Sequence, residues 1–211
     1  MEIKLEKVLP ADIEKRSFEI IESELACELD PKEKPIIKRV IHATADFEYA
    51  DLLCFSKNAV DKAISALESG AKIITDTNMI KSGINKAALS KLGCCAECYM
   101  ADEDVAESAA KNGTTRAAAA MDKAFSRVRG PKIFAVGNAP TALVRICELA
   151  EKYSDTPEIV IGVPVGFVNV VQSKEVLMST DIPYIVSKGR KGGSTVAVSI
   201  VNALMYMITR K

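Results

Sequence analysis

His42 is the only histidine in this sequence of 211 residues. Its imidazole is the side chain best suited to move a proton near neutral pH, because its unperturbed pKa is about 6.5. Helical spacing would place Arg39 on the same face of a helix as His42. Two interpretations follow. His42 acts as a general acid or base, or it is a structural histidine whose ring is satisfied by a backbone carbonyl at a helix end.

A glycine-rich segment with two cations follows the last predicted strand and leads into a helix: Gly189-Arg190-Lys191-Gly192-Gly193-Ser194. Glycines let a backbone approach a ligand closely, and the free amides at a helix start attract anions. The spacing matches neither a Walker loop nor the dinucleotide-binding GxGxxG pattern. Binding of a phosphate, binding of a carboxylate and a plain turn therefore stay open as interpretations.

Other polar residues stand at predicted helix starts. Asn138 and Thr141 follow an apolar strand, so they could contact a ligand, although Asn138 could also cap the helix. Arg116 opposes the helix dipole, which suggests an anionic ligand or an acidic neighbour, and a solvated surface arginine is the alternative interpretation. Ser17 falls among the inward-facing positions of the first helix, where its hydroxyl could simply bond a main-chain carbonyl.

The cysteines give little support for a metal or redox site. Only Cys95 and Cys98 have CxxC spacing, without a second such pair, and the single histidine is distant in sequence. We therefore predict no metal site and interpret the cysteines mostly as small buried hydrophobic side chains in a reducing compartment. The six are Cys27, Cys54, Cys94, Cys95, Cys98 and Cys147.

Short apolar runs alternate with amphipathic segments from residue 72 onward. This alternation predicts a three-layer, doubly wound α/β fold with a mainly parallel sheet of about five strands. The predicted strands are Lys72–Thr75, Cys95–Met100, Lys132–Val136, Glu158–Ile161 and Tyr184–Val186. Helices are predicted over Asn85–Leu92, Asp102–Arg127 with a break near Gly113, Pro140–Tyr153, Val168–Ser179 and Ser194–Thr209. An N-terminal helical segment, with helices over Ala11–Cys27, Lys34–His42 and Asn58–Ser69, is expected to pack on the sheet.

No linker or repeat interrupts this pattern, so we expect one domain over residues 1–211. Ligands of open parallel sheets bind beyond the carboxyl ends of the strands. The loops that follow the predicted strands at residues 76–79, 137–141, 162–166 and 189–194 are therefore the candidate binding loops.

Composition narrows the class of partner. Twenty-eight basic residues balance 28 acidic residues, so no overall field favours nucleic acid or an anionic membrane. No apolar run approaches the length of a membrane span, and the charged start lacks the features of a secretion signal. We expect a cytoplasmic protein that binds neither nucleic acid nor membrane.

Taken together, these segments resemble one family, precorrin-8X methylmutase, in order along nearly the whole chain. Two features depart from the family pattern: Gln172 stands where an acidic residue is common, and the doublet Cys94-Cys95 is unusual. The motifs that carry the resemblance are Pro10-x-x-Ile13-x-x-x-Ser17-Phe18-x-Ile20-Ile21, Val40-Ile41-His42-Ala43-Thr44-Ala45-Asp46-Phe47, Thr75-Asp76-Thr77-x-Met79, Gly137-Asn138-Ala139-Pro140-Thr141-Ala142-Leu143, Pro164-Val165-Gly166-Phe167-Val168 and Gly189-Arg190-Lys191-Gly192-Gly193-Ser194.

The resemblance implies an isomerase of cobalamin biosynthesis that moves a methyl group from C11 to C12 of a tetrapyrrole. The substrate would be precorrin-8X or cobalt-precorrin-8, and the product hydrogenobyrinate or cobyrinate. It implies a homodimer with the substrate near the interface, and no cofactor, because the reaction is an internal rearrangement. His42 would donate the proton, and Ser17 and Arg39 would lie near the substrate. We expect Arg116, Asn138, Thr141 and Arg190 to contact the carboxylate fringe of the ring, with Lys174 and Lys191 as further cations.

Two other functions remain to be tested. A carrier that sequesters the corrinoid would need the same pocket but not His42. An α/β enzyme acting on a nucleotide or phosphate ester would use the Gly189–Ser194 loop, although the sequence lacks a Walker lysine and a recognisable Mg²⁺ motif.

Overall fold

The computed structural model describes residues 6–210, which form a six-stranded sheet covered by helices on both faces. The strand order is β1-β6-β5-β4-β2-β3, and every neighbouring pair is parallel except β1 with β6. The mainly parallel α/β prediction is confirmed. The strands are β1 (Leu53–Phe55), β2 (Lys72–Thr75), β3 (Cys95–Glu97), β4 (Lys132–Val136), β5 (Ile159–Gly162) and β6 (Tyr184–Ser187).

The sixth strand, β1, was not among the five predicted strands. It is three residues long, too short to show a period, and it forms only because Leu53, Cys54 and Phe55 pair antiparallel with β6 at the sheet edge. The second predicted strand, Cys95–Met100, is shorter than expected, because β3 ends at Glu97 and the chain then turns towards the next helix.

Eleven α-helices occur in the described part of the chain, after a 3₁₀ turn at Pro10–Asp12. The predicted break near Gly113 is confirmed, because Gly113 is left-handed and ends the helix Glu103–Asn112. The helix predicted from Val168 begins instead at Val170, because Asn169 is left-handed. The helices are α1 (Ile13–Glu24), α2 (Lys34–Thr44), α3 (Tyr49–Leu52), α4 (Ala59–Glu68), α5 (Asn78–Gly83), α6 (Lys86–Lys91), α7 (Glu103–Asn112), α8 (Arg116–Arg127), α9 (Pro140–Tyr153), α10 (Val170–Met178) and α11 (Ser194–Thr209).

Alternate residues of the strands face two separate cores. Ile73 and Ile133 point to a core built with α1, α2, α4, α5, α6 and α11, and α11 packs along α2. Ile74 and Phe134 point to the opposite core, built with α7, α8, α9 and α10. This two-sided burial explains why the strands are almost uniformly apolar rather than alternating in polarity. His42 belongs to the layer of α2, on the first face.

Residues 6–210 contain neither a membrane-spanning helix nor a metal-binding cluster. No helix in that range is both long and apolar enough to cross a bilayer. No three or more His, Cys, Asp or Glu side chains there are grouped so as to hold a metal ion.

The six cysteines are free thiols, and they are less buried than the sequence predicted. Cys94, Cys98 and Cys147 are buried, but Cys27 and Cys95 are exposed. Cys27 follows the end of α1 on the surface, and Cys95 lies on the edge strand β3, where one side has no neighbouring strand. The prediction of burial is therefore wrong for Cys27 and Cys95.

Candidate active site

The order of strands creates a switch point between β2 and β4. The chain leaves β2 through α5 on one face of the sheet and leaves β4 through α9 on the other, although the two strands are neighbours. In a doubly wound sheet, the carboxyl ends of two such strands border the crevice where ligands bind. The segments that begin at Asp76 and Gly137 meet here.

Asp76 organises this junction. Its buried carboxylate accepts hydrogen bonds from the amides of Gly137 at 2.9 Å, Asn138 at 2.8 Å and Ala139 at 2.7 Å. Burial raises the pKa of Asp76, and the three amide donors oppose that shift. The amides that precede α9 are thus bonded by the protein itself and are not free to bind a ligand. Asn138 does not cap α9, whose N-cap residue is Ala139.

The start of α11 fills the crevice above the switch point. The Ser194 hydroxyl lies 3.1 Å from the Thr77 hydroxyl, and a side chain at Gly137 would meet the backbone of Gly193 and Ser194 at 2.9 Å. The loop of residues 189–193 is equally close to the end of β5. A Cβ atom on Gly192 would lie 2.2 Å from the Val163 carbonyl oxygen. Only glycine fits there, so the glycines serve close packing of two loops.

This loop presents one cation outward and uses the other for an ion pair. The Lys191 ammonium donates to Asp46 at 2.6 Å and lies 3.1 Å from Glu48, which lowers the pKa of Asp46. The Arg190 guanidinium lies 5.4 Å from the centre of the exposed Phe167 ring. Within residues 6–210, Arg190 has no acidic partner. Of the two cations on this loop, only Arg190 is available to bind an anion. Lys191 is neutralised by Asp46 and Glu48, contrary to the expectation that it meets the substrate.

His42 lies in the last turn of α2, and α2 packs against α11. The imidazole borders a shallow cavity of about 250 Å³, whose other lining residues are Ser17, Ile20, Ile21, Glu24, Ile41, Ala45 and Phe47. Its ring is 5.2 Å from the Phe18 ring, at an angle of 44°. No residue in the described chain hydrogen-bonds the imidazole, so the interpretation as a carbonyl-satisfied histidine is wrong.

Partial burial lowers the pKa of His42, and the positive charge of Arg39 lowers it further, while Glu14 opposes both. The ring is thus mainly neutral at pH 7. A mainly neutral imidazole at the mouth of an apolar cavity could donate a proton only from its minor protonated fraction, or accept one from its neutral form.

Ser17 and Arg39 lie on the same side as His42 but are engaged within the protein. The Ser17 hydroxyl donates to the Ile13 carbonyl at 2.9 Å, as the structural interpretation predicted, and the residue still lines the His42 cavity. Arg39 donates to Glu14 at 2.9 Å, and its guanidinium lies 4.7 Å from the Phe18 ring centre. A ligand carboxylate would have to compete with Glu14 for Arg39.

Arg116 and Thr141 lie together on the opposite face of the sheet. Thr115, which caps α8, lies with its hydroxyl 2.8 Å from that of Thr141, so the starts of α8 and α9 touch. Thr141 lines a groove of about 590 Å³ between α8, α9 and α10. Arg116 is exposed, and its side chain forms no ion pair with another described residue.

The predicted residues therefore form three groups rather than one pocket. Ser17, Arg39 and His42 lie on the α2 face, and Arg116 and Thr141 lie on the α9 face. Asn138 and Arg190 stand on loops at the carboxyl edge between them. Sequence reasoning gave no individual role to Asp76 or to the exposed Phe167, and it named Lys174 only as a cation for the substrate. Asp76 directly follows a strand, which was the available signal.

An open parallel sheet covered on both faces, with polar loops gathered at its switch point, defines a doubly wound α/β protein of the kind whose ligands lie at the carboxyl edge. The sequence profile of the precorrin-8X methylmutase family matches residues 12–207. The chain belongs to this family, whose members are isomerases of cobalamin biosynthesis.

Individual relatives agree with the family match. The cobalt-precorrin-8 methylmutase of Salmonella typhimurium is 45% identical over 204 residues, 93% of this chain and 95% of that protein. The enzyme of the same name from Leptospira interrogans is 40% identical over 211 residues, 96% of each. The solved precorrin-8X methylmutase of Thermus thermophilus has a TM-score of 0.86 and 39% identity, covering 94% of this chain and 98% of that one. These matches favour an isomerase over the carrier and the nucleotide-dependent enzyme.

Proposed function

We propose that this protein moves a methyl group from C11 to C12 of precorrin-8X or cobalt-precorrin-8, giving hydrogenobyrinate or cobyrinate. The observation that carries the proposal is the family match over residues 12–207. In the reaction, the bond from the methyl carbon to C11 breaks and its bond to C12 forms. The substrate and product are isomers, so no external electron donor or acceptor is needed.

His42 is the residue proposed to assist the migration. Protonation of a ring nitrogen would redistribute electrons around the conjugated system and loosen the bond at C11. The His42 imidazole is suited to this step because it has no hydrogen-bond partner in the described chain and borders an apolar cavity. The cavity of about 250 Å³ is too small for the whole macrocycle, so only one edge of the ring would enter it.

Exposed apolar side chains at the carboxyl edge provide a surface for the flat ring. Phe167 is 83% exposed and Val168 is 78% exposed, and Met79 on α5 is also exposed. Large apolar side chains exposed together commonly mark a binding surface. The acetate and propionate groups around the ring would then meet Arg190 beside Phe167, with Arg39, Arg116, Asn138 and Thr141 as further contacts of the fringe.

The separation of the proposed contacts over both faces of the sheet supports the proposal of a homodimer. Arg116 and Thr141 lie on the opposite face of the sheet from His42, so a single chain does not gather all the proposed contacts in one cavity. A second copy could complete the site with its own set. Sedimentation velocity at micromolar concentration tests this part: a species of twice the chain mass supports it, and a monomer at every concentration refutes it.

Replacement of His42 by alanine tests the catalytic proposal. General acid assistance is typically worth about 10²–10⁴-fold, so His42→Ala should lower kcat by that range. Binding of hydrogenobyrinate should change little, because the apolar cavity and the loop of Arg190 remain. A kcat within about threefold of wild type would show that the histidine is structural.

A control variant shows whether an alanine substitution on α1, the other helix that lines the cavity, lowers turnover by itself. Ser23→Ala removes a hydroxyl on α1 that bonds only the Ile20 carbonyl, so its kcat should equal that of wild type. Turnover is followed by the absorption spectrum with substrate in excess. A single conversion per protein, followed by a stalled spectrum, would instead favour the sequestering carrier.

A further inference from the structure

Lys174 is a buried lysine without an acidic partner. It lies on α10 with 1% of its surface exposed, and no carboxylate of the described chain is within ion-pair distance. Lys132, the other buried lysine among these residues, differs because Asp155 neutralises it at 2.7 Å. A buried ammonium is costly unless its donors are used. The donors of Lys174 are used by the backbone.

The ammonium of Lys174 binds two carbonyl oxygens of one loop. It donates to Gly189 at 2.8 Å and to Lys191 at 2.9 Å, the residues on either side of Arg190. The Ser187 hydroxyl also donates to the Lys191 carbonyl, at 3.0 Å. Burial lowers the pKa of Lys174 to about 8, and even the neutral amine would keep two N–H donors for the two carbonyls.

The segment that follows β5 also hydrogen-bonds the backbone of this loop. The Gly166 amide donates to the Arg190 carbonyl at 3.2 Å, and the Gly193 amide donates to Val163 at 2.8 Å. These bonds fix one side of the loop, and Lys174 fixes the other. The Gly189 residue has a φ of +72°, which would be free to relax if its carbonyl lost its partner.

We infer that Lys174 is a positioning residue for substrate binding: it acts through the loop backbone to hold Arg190 outward beside Phe167. The inference rests on the proposed function, in which Arg190 contacts a carboxylate of the ring. It corrects the expectation that Lys174 meets the substrate itself, since the side chain is enclosed. Lys174 orders a cation that it does not touch.

A double-mutant cycle between Lys174→Met and Arg190→Ala tests the inference. The dissociation constant of hydrogenobyrinate is measured by absorbance for wild type, both single variants and the double variant. Lys174→Met should raise this constant about tenfold in the wild-type background and less than about twofold in the Arg190→Ala background, because the residue through which it acts is gone. The amide hydrogen of Gly166 should also exchange faster in Lys174→Met.

The outcomes of the cycle distinguish a failure of this inference from a failure of the proposed contact of Arg190. If Arg190→Ala weakens binding but Lys174→Met acts equally in both backgrounds, or not at all, the inference is wrong. If Arg190→Ala itself leaves binding unchanged, the proposed contact of Arg190 fails first, and the inference fails with it. Lys188→Met is the matched control, because it removes an exposed lysine next to the loop and should leave binding unchanged.

A loss of folding is handled by a second variant. If Lys174→Met does not fold, the same cycle is run with Lys174→Gln, which keeps one polar donor group in the buried position. Circular dichroism and thermal unfolding establish that each protein used in the cycle is folded. The criterion stays the same: coupling to Arg190 supports the inference, and independence overturns it.

Discussion

The Lys191 ammonium lies 2.6 Å from the Asp46 carboxylate, and this ion pair joins two parts of the proposed site. Asp46 follows the end of the helix that carries His42, and Lys191 follows Arg190 on the β6–α11 loop. The residues are 145 positions apart in sequence. The distance between the proposed proton donor and the proposed carboxylate contact is therefore set partly by one ion pair.

Replacing Asp46 by asparagine should weaken substrate binding more than it weakens the fold. Both partners are partly exposed, and exposed ion pairs contribute little to stability. We expect the dissociation constant of hydrogenobyrinate to rise about threefold, with little change in the thermal unfolding temperature. A large fall in that temperature with unchanged binding would mean that the pair is only structural. High salt should reproduce part of the effect in wild type.

The pH profile of kcat/KM should reveal the lowered pKa of His42. If the protonated imidazole is the acid, kcat/KM falls as the pH rises through a value below 6.5, the ordinary pKa of histidine. This limb should be missing in His42→Ala. A profile that is flat from pH 5 to 8 in wild type would contradict the proposal.

The lowered pKa of His42 also makes the free energy of unfolding depend on pH. The unfolded chain protonates His42 near pH 6.5, but the folded chain does so only at lower pH. The folded state thus binds fewer protons between these values, and its free energy of unfolding falls as the pH drops through them. Comparing urea unfolding of wild type and His42→Ala at pH 7.5 and 5.5 isolates this contribution.

Asp76→Asn should destabilise the protein strongly. The asparagine amide would place its own N–H groups towards amides that need an acceptor, and buried donors would be left without partners. The free energy of unfolding should fall by about 3 kcal/mol, measured by urea denaturation. Asp51→Asn is the control, because Asp51 is an exposed carboxylate on α3. Equal stability of the two variants would show that Asp76 does not hold the junction together.

Phe167→Ala should affect binding alone. The side chain is 83% exposed, so its removal should change the free energy of unfolding by less than about 0.5 kcal/mol. If the ring of the substrate covers Phe167, the dissociation constant should rise about tenfold, because apolar burial is lost. Tyr153→Ala, which removes another exposed aromatic ring on α9, should change neither quantity. Unchanged binding in Phe167→Ala would remove this surface from the proposed site.

Sequence patterns predicted most of the fold because the strands are buried on both faces. Lys132–Val136 and Pro140–Tyr153 have the predicted bounds, since an apolar run and a proline at a helix start are local signals. The strand β1 was missed because its formation depends on β6, some 130 residues further along the chain. No window around Leu53 contains that information.

The sequence predicts which residue types belong to the candidate site, but it does not predict which residues they contact. The position of His42 near a helix end follows from the sequence. The ion pair of Lys191 with Asp46 and the burial of Lys174 depend on how elements distant in sequence pack together. Because both cations lie on one glycine-rich loop, the sequence predicts that Arg190 and Lys191 both bind the ligand. The structure gives them different roles, because only Lys191 contacts Asp46, which follows the end of α2.

The packing of α2 against α11 has a consequence for how the protein is made. Roughly 150 residues separate His42 from Ser194, and a ribosome adding about 5–20 residues per second needs some 8–30 s to cover them. During that interval the apolar face of α2, with Ile37 and Val40, lacks the partner that covers it. A newly made chain therefore exposes this stripe to chaperones and to other nascent chains, and slower translation would prolong the risk of aggregation.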